Sequence, residues 1–155
     1  MTDQTQTKQP SEFPQTPEAL LDDLIKLCEE HPTWRNPQIN GECVYNADHS
    51  FPLVVGTDAV ESPHCIVGQQ LTNYGITVGD EWNEQTTAET VLWNLRDKGT
   101  IQVVDEVARL ATFVQTIADG AAPSWIDVSS AYDPRPWGEV QKIIEENRTV
   151  LLERA

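Results

Sequence analysis

Positive charge is missing from the middle of this chain. Between Arg35 and Arg96 there is no lysine or arginine, and overall 10 Lys and Arg stand against 25 Asp and Glu, a formal net charge of −15. The acidic residues of this segment (residues 36–95, the acidic segment) are Glu42, Asp48, Asp58, Glu61, Asp80, Glu81, Glu84 and Glu89. Such a segment repels nucleic acids and anionic membranes and attracts a basic protein surface. We therefore expect no direct contact with nucleic acid or membrane. The acidic residues either attract a basic partner or only keep the protein soluble.

The sequence also lacks long apolar runs, a basic N-terminal region and an even number of cysteines. No stretch approaches the roughly 18–20 apolar residues of a membrane span, and residues 1–7 have neither the charge nor the apolar run of a signal peptide. Cys28, Cys43 and Cys65 cannot all pair within one chain, which is typical of a reducing compartment. The sequence therefore predicts a cytoplasmic protein.

Several catalytic and cofactor motifs are absent as well. No Gly-x-Gly-x-x-Gly, Gly-x4-Gly-Lys-Ser/Thr or His-Glu-x-x-His pattern occurs, so phosphate-binding loops and zincin metal sites find no support. Among the 25 carboxylates, no spacing selects a pair for acid–base catalysis. The sequence thus predicts neither a cofactor nor an enzyme.

Apolar residues at helical spacing dominate what is present. Residues 1–15 are rich in Gln, Thr and Pro and predict a disordered tail, whereas residues 16–155 predict a single domain. Thr16 as N-cap and Pro17 in the first turn open a helix that closes at His31.

The segment 62–74 predicts a second, short helix. Ser62 is placed as its N-cap, Pro63 as its first residue and Gly75 just beyond its end. The other predicted elements are a helix opened by Thr86 and ended by Gly99, a helix from 103 to Gly120, a short helix near 124–131, a longer helix from about 136, and a hairpin of 42–46 with 53–55. The fold class is mostly α (α+β), a compact helical domain of five to six helices with one small β-hairpin.

Cysteine and histidine offer an alternative to a non-catalytic protein. Cys43, His49, His64 and Cys65 form a chemically sound zinc set if the hairpin packs on the 62–74 helix, although no Cys-x-x-Cys pair occurs. Cys65 at a helix start, with His64 or His49 as base, has the composition of an activated thiolate. Because free cysteines are most often small buried hydrophobic residues, we predict packed cysteines rather than a metal or nucleophile site.

Trp82 is the aromatic residue most suited to a binding surface. It lies in the acidic, polar stretch 79–84, where no neighbouring pattern marks it for the core. A tryptophan among carboxylates is typical of a protein-binding hot spot, and the alternative is a ring folded back over the core. The predicted partner-binding residues are Glu42, Asp48, Asp58, Glu61, Asp80, Glu81, Trp82 and Glu84.

Scattered residues between 40 and 130 resemble a known group of sequences. They are Cys43-Val44-Tyr45, the run Pro63-His64-Cys65-Ile66-Val67-Gly68, and the later Val114-Gln115, Asp119-Gly120 and Trp125. This pattern resembles uncharacterised small proteins of actinobacteria and actinobacteriophages. The resemblance implies a phage or prophage accessory protein in a bacterial cytoplasm, and it implies no activity, cofactor or catalytic residue.

These observations predict a non-enzymatic, acidic accessory protein that engages a host protein with a basic surface. Its sharper form is DNA mimicry, in which carboxylates occupy the nucleic-acid groove of the host protein. The alternatives are a small enzyme or metal-binding protein that uses Cys65 with His64 or His49, and a virion or assembly component.

Overall fold

The computed structural model describes residues 8–39, 42–43, 60–62, 64–78, 87–129, 131 and 133–155, with the backbone alone at 38–39, 42–43 and 60–61. This part of the chain is mostly helical, which confirms the predicted fold class. Its six α-helices are α1 (Pro17–Glu30), α2 (Ile66–Asn73), α3 (Ala88–Asp97), α4 (Asp105–Ala118), α5 (Trp137–Glu146) and α6 (Arg148–Arg154).

Helix α4 lies at the centre, in contact with α1, α2, α3, α5 and α6. This helix has buried residues along its whole length. They are Val107, Ala108, Leu110, Ala111, Val114, Gln115, Ile117 and Ala118. Burying each large aliphatic side chain contributes about 1.5–3 kcal/mol, so this helix anchors the core.

Four two-residue strands complete the described part of the fold. They are β1 (Trp34–Arg35), β2 (Gln38–Ile39), β3 (Glu42–Cys43) and β4 (Val60–Glu61). β1 pairs with β4 in parallel, and β2 pairs with β3 in antiparallel fashion.

The predicted hairpin of 42–46 with 53–55 is described only at residues 42–43, which form β3. β3 pairs with β2, a strand of residues 38–39 that lies outside the predicted hairpin. The remainder of the predicted hairpin lies outside the described residues.

Two of the predicted helix ends are confirmed by their glycines. Gly75 follows α2 with a φ of +74°, and Gly120 follows α4 with a φ of +104°, a region in which side chains are strained. At Gly120 a Cβ atom would also lie 2.6 Å from the Asp133 carbonyl oxygen. The chain can therefore turn back at this point only because residue 120 has no side chain.

The predicted start of α2 is wrong by three residues. The amide of Ser62 donates to the Arg35 carbonyl at 2.8 Å, which continues the β1–β4 pairing, and its hydroxyl accepts from the His64 amide. Cys65, with an extended backbone, is the N-cap, and the helix begins at Ile66. Ser62 is thus held by the strand and is not available as a cap.

The predicted short helix near 124–131 is absent from the described residues of that stretch, 124–129 and 131. Arg135, 2% exposed, explains the irregular path, because its guanidinium donates to the carbonyls of Ile117, Ala121 and Ser129 at 2.6–2.7 Å. These bonds hold the loop after α4 against the end of that helix.

The predicted long C-terminal helix is divided in two at Asn147. The Asn147 side chain donates to the Ile143 carbonyl at 2.9 Å, and its backbone leaves the helical region with a φ of −116° and a ψ of 18°. An asparagine side chain competes with the backbone for helix carbonyls in this way. α6 therefore begins as a separate helix.

The tail predicted over residues 1–15 is ordered from residue 8 onwards. Phe13 is 1% exposed and meets the Tyr74 ring edge-on at 5.4 Å. The Lys8 amide donates to the Asn73 carbonyl, and Pro10–Glu12 form a 3₁₀ turn. A buried aromatic ring and a main-chain hydrogen bond to α2 thus dock a segment of otherwise polar composition. Residues 1–7 lie outside the described part.

Candidate functional site

The predicted partner-binding residues lie almost wholly outside the described part of the chain. The structure gives the backbone of Glu42 in β3 and of Glu61 in β4, without their side chains. Outside the described residues lie Asp48, Asp58, Asp80, Glu81, Trp82 and Glu84. The binding role of this set therefore remains a prediction.

The cysteines of the described core are packed, as expected for small hydrophobic residues. Cys65 and Cys28 are both 0% exposed and free of disulfides. Burial, reinforced by the nearby carboxylates Glu29 and Glu145, raises the pKa of the Cys28 thiol to about 12. A thiol that is shielded from solvent is not accessible to a substrate.

The weak alternative metal set, Cys43, His49, His64 and Cys65, is not brought together by any described contact. His64 is partly exposed and Cys65 is buried, while the Cys43 side chain and His49 lie outside the described residues. Among the described residues there is no group of three His, Cys, Asp or Glu side chains that is placed to hold a metal ion.

Buried polar side chains converge on the start of α2, where the N-cap Cys65 makes no side-chain hydrogen bond. The Ile66 amide donates to Asn36 Oδ1 at 2.9 Å, and the Val67 amide donates to Gln115 Oε1 at 3.3 Å. The first amides of a helix have no partner within it, so side chains must accept from them when they are buried. Two residues distant in sequence perform this role here, and neither is the expected Ser62.

The same side chains form a network with Asp119 and Trp137, which we call the polar centre (Asn36, Gln115, Asp119 and Trp137). Asn36 donates to Asp119 Oδ1 at 2.7 Å, and its Oδ1 also accepts from Trp137 Nε1 at 3.1 Å. Gln115 Nε2 lies 3.4 Å from Asp119 Oδ1. Asn36, itself 1% exposed, therefore links β1, α2, α4 and α5.

Asp119 is the chemically unusual group of the polar centre. Burial raises the pKa of its carboxyl, and the hydrogen bonds from Asn36 and Gln115 act in the opposite direction. A perturbed carboxyl is capable of proton transfer when a substrate can reach it. Here both amide partners also accept from the backbone of α2, so the arrangement serves first to hold that helix in place.

Sequence reasoning missed the polar centre because its members are far apart in the chain. Asn36 lies 30 residues before the Ile66 amide that it caps, and Gln115 lies 48 residues after the Val67 amide that it caps. Asn36 and Asp119 are 83 residues apart. The absence of any acid, Ser or Thr in the first turn of α2 is the one available signal, since it requires acceptors from elsewhere.

A cluster of aromatic rings, partly exposed to solvent, lies where α1 ends and α5 begins. His31 stacks on Trp34 with ring centroids 3.7 Å apart and planes at 12°, and Trp34 meets the buried Trp137 edge-on at 5.4 Å. Burial lowers the pKa of His31, and the carboxylate of Glu30 partly opposes this. The buried Trp137 thus packs against the His31–Trp34 pair on its core side.

Comparison with protein-family models, with curated proteins and with solved structures finds no match to this chain. No helix in the described ranges is both long and apolar enough to cross a lipid bilayer.

Proposed function

We propose that this protein is a non-enzymatic acidic binding protein that engages a basic surface of another protein. The observation that supports it most directly is the distribution of charge. All ten Lys and Arg residues lie within the described part of the chain, and none of them belongs to residues 36–95, which hold eight acidic residues. A protein with this separation of charge steers basic partners toward it over long range.

Most of the basic side chains are engaged within the protein's own fold. Six of them contact described groups, either carboxylates, main-chain carbonyls or an aromatic ring. They are Lys8 with Asp23, Arg96 with Asp105, Arg148 with Asp22, Arg35 and Arg135 with main-chain carbonyls, and Arg154 with the Trp125 ring. These contacts hold the basic groups against the fold, and the formal net charge stays at −15.

Negative charge, in contrast, faces solvent on five of the six described helices. α2 carries no acidic residue, and each of the others has at least one exposed Asp or Glu. Examples are Glu18 of α1, Asp97 of α3, Glu106 of α4, Glu146 of α5 and Glu153 of α6. The proposal therefore rests on exposed acidic residues on several helices, together with an acidic segment that has eight acidic residues and no Lys or Arg.

The proposed setting is that of a phage or prophage accessory protein in a bacterial cytoplasm, with a host protein as partner. In its sharper form, the carboxylates of the acidic segment take the place of DNA phosphates in the host protein's groove. The resemblance to actinobacterial and actinophage sequences supports this setting, and the burial of Cys65 counts against the alternative of a cysteine enzyme.

A capture experiment tests the proposal. The tagged protein is incubated with nuclease-treated actinobacterial lysate, and bound proteins are eluted in steps of rising salt and identified by mass spectrometry. We expect a nucleic-acid-binding protein released at moderate salt, and competition by duplex DNA for the purified pair. Partner binding that persists at high salt, or the absence of any bound protein, would contradict the proposal.

Two variants with the same change of charge make the result specific. The first neutralises acids of the acidic segment, the second neutralises exposed acids on the described helices, and we expect about tenfold weaker binding for the first and less than about twofold for the second. The first is D80N/E81Q/E84Q, and the second is E18Q/D97N/E106Q. Cys65→Ser is expected to bind as the natural protein does.

A further inference from the structure

Residues 8–14, which we call the strap, lie on the helices in the way that a bound peptide lies on its receptor. Phe13 is 1% exposed and Pro14 is also buried, so one aromatic ring and the proline after it are inserted into the fold. Most of the remaining strap residues face solvent; they are Lys8, Gln9, Ser11 and Glu12. A deeply inserted aromatic anchor with a polar rim is typical of a binding contact.

The strap forms its turn with its own hydrogen bonds. The Gln9 amide donates to Glu12 Oε1 at 2.8 Å, and the Glu12 amide donates to the Gln9 carbonyl at the same distance. Pro10 restricts the backbone at the first position of this turn. A free peptide of the same sequence therefore favours the bound shape, and it loses less conformational entropy on binding than an unstructured segment does.

The surface beneath the strap is also held in shape by bonds that do not involve the strap. Asp23 of α1 accepts from the Tyr74 hydroxyl at 3.1 Å and from Gln70 Nε2 at 2.7 Å. Gln70 is 1% exposed and Tyr74 is 4% exposed. We call Asp23, Gln70, Asn73 and Tyr74 the strap site. Because its internal bonds do not depend on the strap, this site is preorganised for a segment that takes the place of the strap.

The strap site contacts an aromatic ring and a cation of the strap. The Phe13 ring meets the Tyr74 ring edge-on at 5.4 Å. The Lys8 ammonium lies 3.3 Å from Asp23 Oδ1 and 5.1 Å from the centre of the Tyr74 ring, which combines an ion pair with a cation–π contact. The Lys8 amide also donates to the Asn73 carbonyl at 3.0 Å. The site thus fits a cationic side chain that stands five residues before an aromatic one.

The strap can open while the helices stay packed. Of the strap residues, Phe13 is the one that belongs to the hydrophobic core, and the strap joins α1 through Gln15 and Thr16. Segments held by few buried side chains open at a much lower free energy than the whole domain unfolds. Opening exposes the Tyr74 ring beside the Asp23 carboxylate, a surface that is apolar on one side and anionic on the other.

We propose that the strap site binds a segment of a partner protein that carries Lys or Arg five residues before a Phe-Pro pair, and that the strap competes with this segment. The strap itself supplies the chemistry that fits the site. Charge complementarity favours a partner over a second copy of this chain, because a formal net charge of −15 makes two copies repel each other. The inference goes beyond the proposed function, because it rests on other residues and holds even if the acidic segment binds nothing.

The test is a titration of the full-length, ¹⁵N-labelled protein and of its F13A variant with an acetylated, amidated peptide of the sequence of residues 8–15, followed by NMR. We expect F13A to bind the peptide at least about tenfold more tightly than the natural protein does, because its own strap no longer competes. A peptide with Ala in place of Phe should bind neither protein. Equal affinity of the two proteins, or absence of binding to both, would overturn the proposal.

The natural protein gives a second readout that does not depend on the folding of F13A. At saturating peptide, the Gln9 and Phe13 amide signals should move to the positions typical of a disordered chain, because the strap has left the site. Peptide binding that leaves these two signals unmoved would overturn the proposal. Dimerisation of the natural protein that F13A abolishes would show that a second copy is the occupant, which also contradicts it.

Two adjacent carboxylates of α1 separate the strap site from general attraction to an acidic protein. D23N removes the charge that pairs with Lys8, and D22N removes the same charge at a side chain that is 69% exposed. Introduced into F13A, D23N should weaken peptide binding about fivefold and D22N less than about twofold. Equal weakening would show that binding follows net charge alone, and the proposal would fail. Because both variants leave the acidic segment intact, this result does not depend on the capture experiment.

Discussion

The first amides of α1 and α2 donate to side chains that lie at very different distances along the sequence. At α1, the Thr16 side chain accepts from the Ala19 amide three residues later, and Pro17 occupies the first turn. At α2, the N-cap Cys65 makes no side-chain bond, and Asn36 and Gln115 accept from the first two amides instead.

The start of α1 is therefore determined by neighbouring residues, whereas the start of α2 depends on contacts across the whole fold. The cap of α1 needs only the residues around it. The cap of α2 exists only when β1 and α4 are in place, and through Trp137 it also depends on α5. Changes in the polar centre should therefore have larger effects than changes at Thr16, and Ser62 should matter least.

The largest effect is expected for Asn36→Ala. The change leaves the Ile66 amide and the Trp137 indole N–H buried without an acceptor, and it removes a donor from Asp119, so we expect at least about 3 kcal/mol less unfolding free energy. Urea denaturation followed by circular dichroism measures it. Asn73→Ala, at an exposed asparagine on α2, is the control and should cost less than about 0.5 kcal/mol. Equal losses in the two variants would refute the special role of Asn36.

Asp119 should make stability depend on pH in a definite direction. Because burial raises the pKa of this carboxyl, the folded protein binds its proton more tightly than the unfolded chain does. The stability that Asp119 contributes is complete below its pKa in the unfolded chain, about 3.9. This stability is lost as the pH rises through the raised pKa of the folded protein. The unfolding free energy of the natural protein minus that of Asp119→Asn should therefore decline from about pH 4 upwards.

Denaturation curves at a series of pH values measure this difference. Asp133→Asn, at an exposed carboxyl in the loop after α4, serves as the baseline for a change of one charge. A difference that rises with pH would mean that the hydrogen bonds from Asn36 and Gln115 outweigh burial.

What the sequence could predict follows the same division between local and distant interactions. Thr16 with Pro17, and the glycines at 75 and 120, mark helix ends through their own backbone preferences, and the structure confirms them. The mostly helical class follows from apolar spacing in the same way. The start of the helix predicted from Thr86 lies one residue later, at Thr87, whose side chain accepts from the Thr90 amide.

What the sequence could not predict depends on contacts between distant residues. Ser62 has the composition of a cap, but β1 engages its amide, and the acceptors for α2 come from Asn36 and Gln115. The irregular loop in place of the expected helix near 124–131 likewise has no local signature, because the Arg135 guanidinium that donates to its Ala121 and Ser129 carbonyls follows later in the chain.

Thr16→Ala should have a moderate effect, because it removes only one local cap. Loss of the acceptor for the Ala19 amide is expected to cost about 1 kcal/mol of unfolding free energy. Thr16→Ser keeps the hydroxyl and should retain nearly all of the stability. If both variants lose the same amount, the methyl group rather than the cap is responsible.

Ser62→Ala should have the smallest effect and provides the sharpest contrast with Asn36→Ala. The Ser62 hydroxyl accepts from the His64 amide, outside α2, so its loss is expected to cost about 0.5 kcal/mol, less than the loss of a cap. Hydrogen exchange of the Ile66 and Val67 amides distinguishes the two roles. Their protection should persist in Ser62→Ala. In Asn36→Ala the Ile66 amide should exchange faster, because it loses its acceptor. If instead Ser62→Ala exposes both amides to exchange, the start of α2 is held locally after all, and the contrast with α1 disappears.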